Sequence, residues 1–260
     1  MIQHPNDIPQ AKRLVVKVGS SSITGEAADQ LTGLVGALSA AHSRGQEIIV
    51  VSSGAIASGM PLITFSDRSL DLATQQAAAA VGQNILMRRY QELFDRSDIT
   101  SGQVLLTVGD VENEPHRSNA RRTIERMVGL RVIPIVNEND TVATQEIRFG
   151  DNDRLAAQVA ELVGADALVL LSDVDAIYTA PPSSEGAQPI ERVASDDDLS
   201  WVTLGAAVVN AVGTGGAVTK FSAARLATAA GIPTLVTGTW LVDQALQGQG
   251  PGTWFEGAVH

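Results

Sequence analysis

Two lysines at opposite ends of the chain each adjoin a glycine-rich turn. Lys17 lies near the end of the run Leu14-Val15-Val16-Lys17-Val18 and is followed by Gly19, Ser20 and Ser21. Lys220 closes GTGGAVTK, residues 213 to 220, where three glycines stand at the entrance to a helical pattern. A charge inside a strand is costly unless it meets a ligand or a carboxylate. An outward-pointing strand lysine is the plain alternative for Lys17, but the backbone N–H groups of Gly19 and Ser20 beside an ammonium suit a phosphate better. At 213–220 glycines let backbone amides approach phosphate oxygens, and a helix N-terminus favours anions; an ordinary glycine-rich loop is the alternative. The segment is not a Walker A loop, whose lysine follows a glycine directly, nor G-x-G-x-x-G, because Val218 holds the last glycine position. Together the two lysines could flank a transferring phosphoryl group and neutralise its oxygens, which makes phosphoryl transfer the leading reaction class.

A second feature is NENDTVATQEIRFGDND, residues 137 to 153, with five acidic side chains (Glu138, Asp140, Glu146, Asp151, Asp153) and three asparagines directly after an apolar run. A Ca²⁺ loop is the weakest reading, since the EF-hand spacing and its turn glycine are missing. Carboxylates stabilise ammonium groups within about 4 to 6 Å. The stretch therefore reads as two half-sites, Asn137 to Asp140 gripping a cationic substrate group and Gly150 to Asp153 ordering the lysines. Thr141 to Phe149 alternates like a strand and suits a hairpin joining them, while Glu138 and Glu146 read as solvated.

The elements that must position these groups follow from periodicity. Strands are expected at Leu14–Val18, Glu47–Val51, Gln103–Leu106, Arg131–Val136, Ala167–Leu171 and Thr234–Val236. Helices are expected at about Ala27–Ser43, Thr74–Phe94, Ser118–Met127, Asp153–Val163 and Ala217–Ala230. Ala180 to Gln188, rich in Pro, Ser and Gly, reads as a mobile loop. Nearly all-apolar strands alternating with helices imply a mainly parallel sheet covered on both faces, an α/β fold of three-layer α/β/α type. In such sheets ligands bind beyond the carboxyl ends of the strands. The turns there are Gly19-Ser20, Ser52-Ser53-Gly54, Asn137–Asp140 and Ser172-Asp173, whose common location suggests one site.

Composition narrows the partners. The 260 residues are 44% hydrophobic, only 4% aromatic and carry 24 glycines, which suits one tightly packed domain with many strand–helix turns. A net charge of −11 disfavours nucleic acid, and the Arg121-Arg122 segment reads as a solvated helix face. The lack of cysteine excludes disulfides and thiolate metal sites and fits a cytoplasmic protein. Neither an N-terminal apolar signal nor a run of about 18 apolar residues is present, so secretion and membrane spanning are not expected.

Eight segments in order, VVKVGSSSITG (15–25), VVSSGAIASGM (50–60), QQAAAAVGQ (75–83), GQVLLT (102–107), IPIVNENDTVAT (133–144), FGDNDRLAAQVA (149–160), LLSDVDAIYT (170–179) and GTGGAVTKFSAA (213–224), resemble the amino acid kinase family, and within it the branch that phosphorylates glutamate. The resemblance implies ATP-dependent phosphorylation of the γ-carboxylate of L-glutamate at the start of proline biosynthesis. By position, Lys17 and Lys220 are similar to the lysines that stabilise the transferring group, and Asp153 to the aspartate that orders them. Ser53, Gly54, Asn137, Asp140 and Asn152 resemble the substrate site, with Asp140 suited to the α-ammonium. Lys17, Gly19, Ser20, Ser172, Asp173, Thr214, Gly215, Gly216, Ala217, Val218, Thr219 and Lys220 resemble the ATP site. Ala176 and Ala217 depart from the family's usual glycine and methionine, both on the nucleotide side. Also implied are Mg²⁺ held mainly through the ATP phosphates, proline as feedback inhibitor, and a homo-oligomer, dimer or tetramer. Residues 1–260 would form a single kinase domain without the C-terminal RNA-modification-type PUA domain that many members carry.

Overall fold

The computed structural model describes residues 2–25, 29–63, 71–142, 152–197 and 216–258. Its strands are β1 (Arg13–Val18), β2 (Glu47–Ser52), β3 (Ser101–Leu106), β4 (Ile133–Glu138), β5 (Ala167–Ser172), β6 (Arg192–Val193), β7 (Thr234–Gly238) and β8 (Thr253–Phe255). They form one sheet in the order β3-β4-β2-β1-β5-β7-β8-β6. All pairings are parallel except β7 with β8. The helices are α1 (Gln30–Ser43), α2 (Ala55–Gly59), α3 (Leu72–Phe94), α4 (Val108–Glu112), α5 (His116–Gly129), α6 (Asn152–Val163), α7 (Ala217–Ala229) and α8 (Val242–Leu246).

Strand alternation sorts the core into two halves. Val15, Ile49, Val51, Leu168 and Leu170 pack with α4 to α7 on one face of the sheet. Leu14, Val16, Ile48, Val50, Val169 and Leu171 pack with α1, α3 and α8 on the other. The three layers are those the periodicity implied, and strands apolar on both faces are what a doubly covered sheet requires. Lys17 pairs with Val51 of β2 on one side and Leu170 of β5 on the other. The chain runs from β1 to β2, β3 and β4 on one side and then crosses to β5 on the other, so the carboxyl end of β1 is the topological switch point where a crevice opens.

Several boundaries differ from expectation for local reasons. α1 begins at Gln30 rather than Ala27, and residues 26 to 28 lie outside the described part. β4 starts at Ile133 because Arg131 adopts φ 62° and Val132 N–H donates to the Met127 carbonyl (3.0 Å), which closes α5 first. It also runs on to Glu138, so Asn137 and Glu138 belong to the strand; Glu138, expected to be solvated, is 8% exposed. The ends of the Ala180–Gln188 loop are tied, with Thr179 N–H donating to the Gln188 carbonyl (2.9 Å) and Tyr178 bridging Pro189. The elements β6, β8, α2, α4 and α8 are too short for a periodic signal.

One contact between the short α2 and the long α3 sets one side of the crevice. α2 starts from Gly54, whose φ of 103° lies in the left-handed region open to glycine. A β-carbon on Gly59 would sit 1.9 Å from the Ala78 carbonyl oxygen, and one on Gly82 would sit 1.7 Å from that of Ala55. The two backbones therefore touch, which glycines at both crossings permit. Gly82→Ala is expected to force the helices apart and destabilise the fold by about 1–3 kcal/mol or more, read as a lower urea midpoint with an unchanged m-value.

Candidate active site

The first half of the site is an ion cluster held by three elements. Lys17 projects from the end of β1, Asp153 from the first turn of α6 and Lys220 from the first turn of α7; they are 3%, 1% and 6% exposed. Lys17 Nζ lies 2.5 Å from Asp153 Oδ1, and Lys220 Nζ lies 3.3 Å from Oδ2. Thr219 Oγ1 also donates to Oδ2 at 2.7 Å. Burial by itself would raise the Asp153 carboxyl, but the Lys17 and Lys220 ammonium groups outweigh it and hold the group down to about 2. Its place in the first turn of a helix adds in the same direction. The Lys17 ammonium lies 3.9 Å from the point a β-carbon on Gly19 would occupy, so it shares the space next to that turn. At α7 the Gly216 N–H donates back to Thr219 Oγ1 (3.1 Å), so that donor is engaged within the chain, while Ala217, Val218 and Thr219 form the first turn. Gly213, Thr214 and Gly215 lie outside the described residues.

The second half gathers the ends of β2 and β4 and the start of α6. Ser53 N–H donates to the Val18 carbonyl (3.1 Å), tying the β2 turn to the end of β1. A β-carbon on Gly54 would lie 3.7 Å from Ser20 Cα, so the Gly19-Ser20 and Ser53-Gly54 turns are in contact. Asn137 is 1% exposed; its Oδ1 accepts from the Glu138 N–H (2.9 Å), and its Nδ2 donates to Gln83 Oε1 (2.8 Å). Burial raises the Asp140 carboxyl to about 6. Asn152 is 5% exposed next to Asp153, and its Oδ1 has no hydrogen-bond partner. The span expected to be a hairpin is described only at Thr141 and Val142, and Glu146, Gly150 and Asp151 also fall outside the described residues.

Ser172 ends β5, the neighbour of β1, and Asp173 follows it, so they reach the same edge of the sheet. Their bonds are local: Ser172 Oγ donates to Asp173 Oδ1 (3.2 Å) and accepts from Val174 N–H (3.4 Å), and the Ser172 carbonyl accepts from Thr239 Oγ1 (3.0 Å).

Two residues of α3 join the site without having been expected there. Gln83 holds Asn137, and Tyr90 Oη bonds Ser52 Oγ (3.0 Å), which donates to the Ser53 carbonyl (3.1 Å). With its one proton on that carbonyl, Ser52 must accept from the tyrosine. The available signal was the buried stripe Ala79, Gln83, Leu86, Tyr90 on α3: a glutamine on such a stripe needs a partner. A cavity of about 490 Å³ lies elsewhere, among Glu112, Arg117, Arg154, Gln158 and Leu226, and shares no lining residue with this site.

Removing the charge of Asp153 leaves two buried ammonium groups without their shared counter-ion. Asp153→Asn is expected to cost about 3–5 kcal/mol, as read by chemical denaturation. Because the folded carboxyl titrates near 2, below its ordinary 3.8, its contribution is present above the ordinary value and is lost as pH falls through the folded one. The wild type should lose stability between about pH 4 and 2 in a step that Asp153→Asn lacks.

A family model described as the amino acid kinase family matches residues 12–238. The chain is 60% identical over 254 residues to a glutamate 5-kinase of Leifsonia xyli subsp. xyli, an alignment spanning 98% of this chain and 94% of the relative. It is 61% identical over 248 residues to one of Clavibacter sepedonicus, with 95% of each covered, and 52% identical over 252 residues to one of Salinispora arenicola, covering 95% of this chain and 68% of the relative. Among solved structures, carbamate kinase from Giardia lamblia bound to AMP-PNP superposes with a TM-score of 0.68 over 96% of this chain and all of its own; at 13% identity the likeness is one of fold. On sequence, fold and site together, the chain belongs to the amino acid kinase family and groups within it with the glutamate 5-kinases.

Proposed function

We propose that the protein transfers the γ-phosphoryl group of ATP to the γ-carboxylate of L-glutamate, giving γ-glutamyl phosphate, the first step of proline biosynthesis. The relatives at 60% identity carry the name of this activity. The observation that carries the chemistry is the buried Lys17–Asp153–Lys220 cluster. A carboxylate is already ionised at neutral pH, so the attack on the γ-phosphorus needs no general base. The work left to the protein is to hold the reactants in line and to neutralise charge on the transferring oxygens. Lys17 and Lys220, fixed on the two oxygens of one carboxylate, are preorganised for that and need no rearrangement during the step.

Among the described residues no group of three or more His, Asp or Glu side chains is arranged to hold a metal. Mg²⁺, which commonly binds through substrate phosphates and water, fits such a site without a protein cage; when bound it shields the phosphate oxygens. Gly19, Ser20 and the first turn of α7 face the phosphates in this reading, and Ser172 and Asp173 lie on the nucleotide side.

Asp140 favours an amino acid over the other acceptors of the family. A carboxyl raised by burial is suited to an ammonium, which glutamate and aspartate carry and N-acetylglutamate, carbamate and UMP do not. A non-catalytic amino-acid or nucleotide sensor would have no use for two buried lysines on one aspartate. Proline, which shares the α-amino and α-carboxyl groups of glutamate, as feedback inhibitor, a dimer or tetramer, one kinase domain over residues 1–260 and a cytoplasmic location complete the proposal. No helix among the described residues is long and apolar enough to cross a membrane.

With ATP and Mg²⁺, trapping by hydroxylamine should yield a hydroxamate from L-glutamate; no hydroxamate from any acid in a panel would refute phosphorylation of a carboxylate. Lys220→Ala should lower kcat by about 10²-fold or more. Asp140 adds a pH signature. Its carboxyl is charged above about 6 and neutral below, so the glutamate KM should rise towards tenfold per pH unit below about 6. The same upward shift makes ionised Asp140 unfavourable to the unliganded fold as pH rises from its ordinary 3.8 through about 6, a cost that a bound ammonium relieves. Asp140→Asn should show a high glutamate KM that is flat over this range, with the ATP KM unchanged.

A further inference from the structure

Gln83 is placed more firmly than a surface contact would place it. It follows Gly82, whose backbone touches Ala55, and it is 8% exposed between the start of α2 and the end of β4. The orientation of its amide follows from its neighbours. Asn137 accepts the Glu138 N–H on Oδ1, so Asn137 Nδ2 is the atom facing α3 and must meet an acceptor. That acceptor is Gln83 Oε1, because the reverse orientation would set one NH₂ against another. Gln83 Nε2 is then a buried donor, and it has no hydrogen-bond partner. Such a donor is costly unless a ligand satisfies it, and an ammonium cannot.

The identity of the missing acceptor rests on the glutamate reading above. The substrate has three charged groups. Its γ-carboxylate must reach the phosphoryl group at Lys17 and Lys220, and its ammonium is drawn to Asp140. The α-carboxylate shares a carbon with that ammonium and so lies on the same side of the crevice, by Asn137, where it needs a donor. We propose that Gln83 donates through Nε2 to the α-carboxylate of the amino-acid substrate and is a specificity-determining residue of this kinase. Gln83 has two roles at once: Oε1 orders Asn137, and Nε2 reads the substrate.

Gln83→Glu separates these roles, since it keeps an acceptor for Asn137 and replaces the donor by an oxygen. The discriminating acceptor is the α-amide of L-glutamate, which retains the ammonium and γ-carboxylate and offers N–H groups where glutamate has a carboxylate. For Gln83→Glu the kcat/KM ratio of glutamate to its α-amide should fall by about 100-fold or more relative to wild type, as the lost charge-assisted bond is compounded by repulsion. The loss for glutamate should appear in KM, with the ATP KM unchanged. Gln83→Met, lacking both functions, should be impaired with both acceptors. A ratio unchanged in Gln83→Glu would overturn the proposal and leave Gln83 as an anchor for Asn137 alone. Calorimetric binding of L-glutamate to wild type and Gln83→Glu reads the same contact without turnover. Equal affinities would overturn the contact, whereas a wild type that binds glutamate without phosphorylating it would overturn the kinase reading and leave the contact standing.

Discussion

Two almost fully buried ammonium groups, Lys17 and Lys220, share one counter-ion, the carboxylate of Asp153 between them. Each oxygen of Asp153 takes one ammonium, and Thr219 adds a hydrogen bond to the second. Desolvation opposes all three charges, so the arrangement holds only because the geometry is good and every partner is present. The dependence extends outward: β1 must end at the switch point, and α6 and α7 must begin beside each other, for three short segments to bring their side chains to one point. The fold is in this sense arranged around one shared carboxylate.

The Ser53–Asn137 side of the crevice rests on a different principle, close backbone packing. Glycines at 59 and 82 let α2 and α3 meet without intervening side chains. That contact holds the Ser53-Gly54 turn from one side, while Gln83 and Tyr90 hold Asn137 and Ser52 from the other. Lys17 points to the α6 and α7 face of the sheet, whereas α3 covers the opposite face. The crevice is thus supplied by both outer layers, the lysine–aspartate cluster from one and the Gln83 and Tyr90 hydrogen bonds from the other.

The acidic stretch at residues 137 to 153 divides along the same lines. Asn137 and Asp153 stand at its two ends, and their contacts differ: Asn137 is hydrogen-bonded to Gln83 of α3, Asp153 is paired with the two lysines. Glu138 went the other way, because the strand ran two residues longer than expected and carried it into the interior. A polar residue at a strand end is a boundary signal in sequence, and whether the ladder continues is decided by the neighbouring strand, here β3, which pairs Leu105 with Asn137 and Leu106 with Glu138.

What the sequence alone determined was the set of local properties: which runs are strands, which are helices, that the sheet is covered on both faces, and that two glycine-flanked lysines suit a phosphoryl group. These follow from side-chain periodicity and backbone chemistry, which act over a few residues. Tertiary structure decided the pairings. That Lys17 and Lys220 divide the oxygens of Asp153, that Gln83 holds Asn137, and that Tyr90 steadies Ser52 depend on which elements lie side by side. No local pattern encodes such distances, because burial sets the worth of each charge and amide only after the layers close.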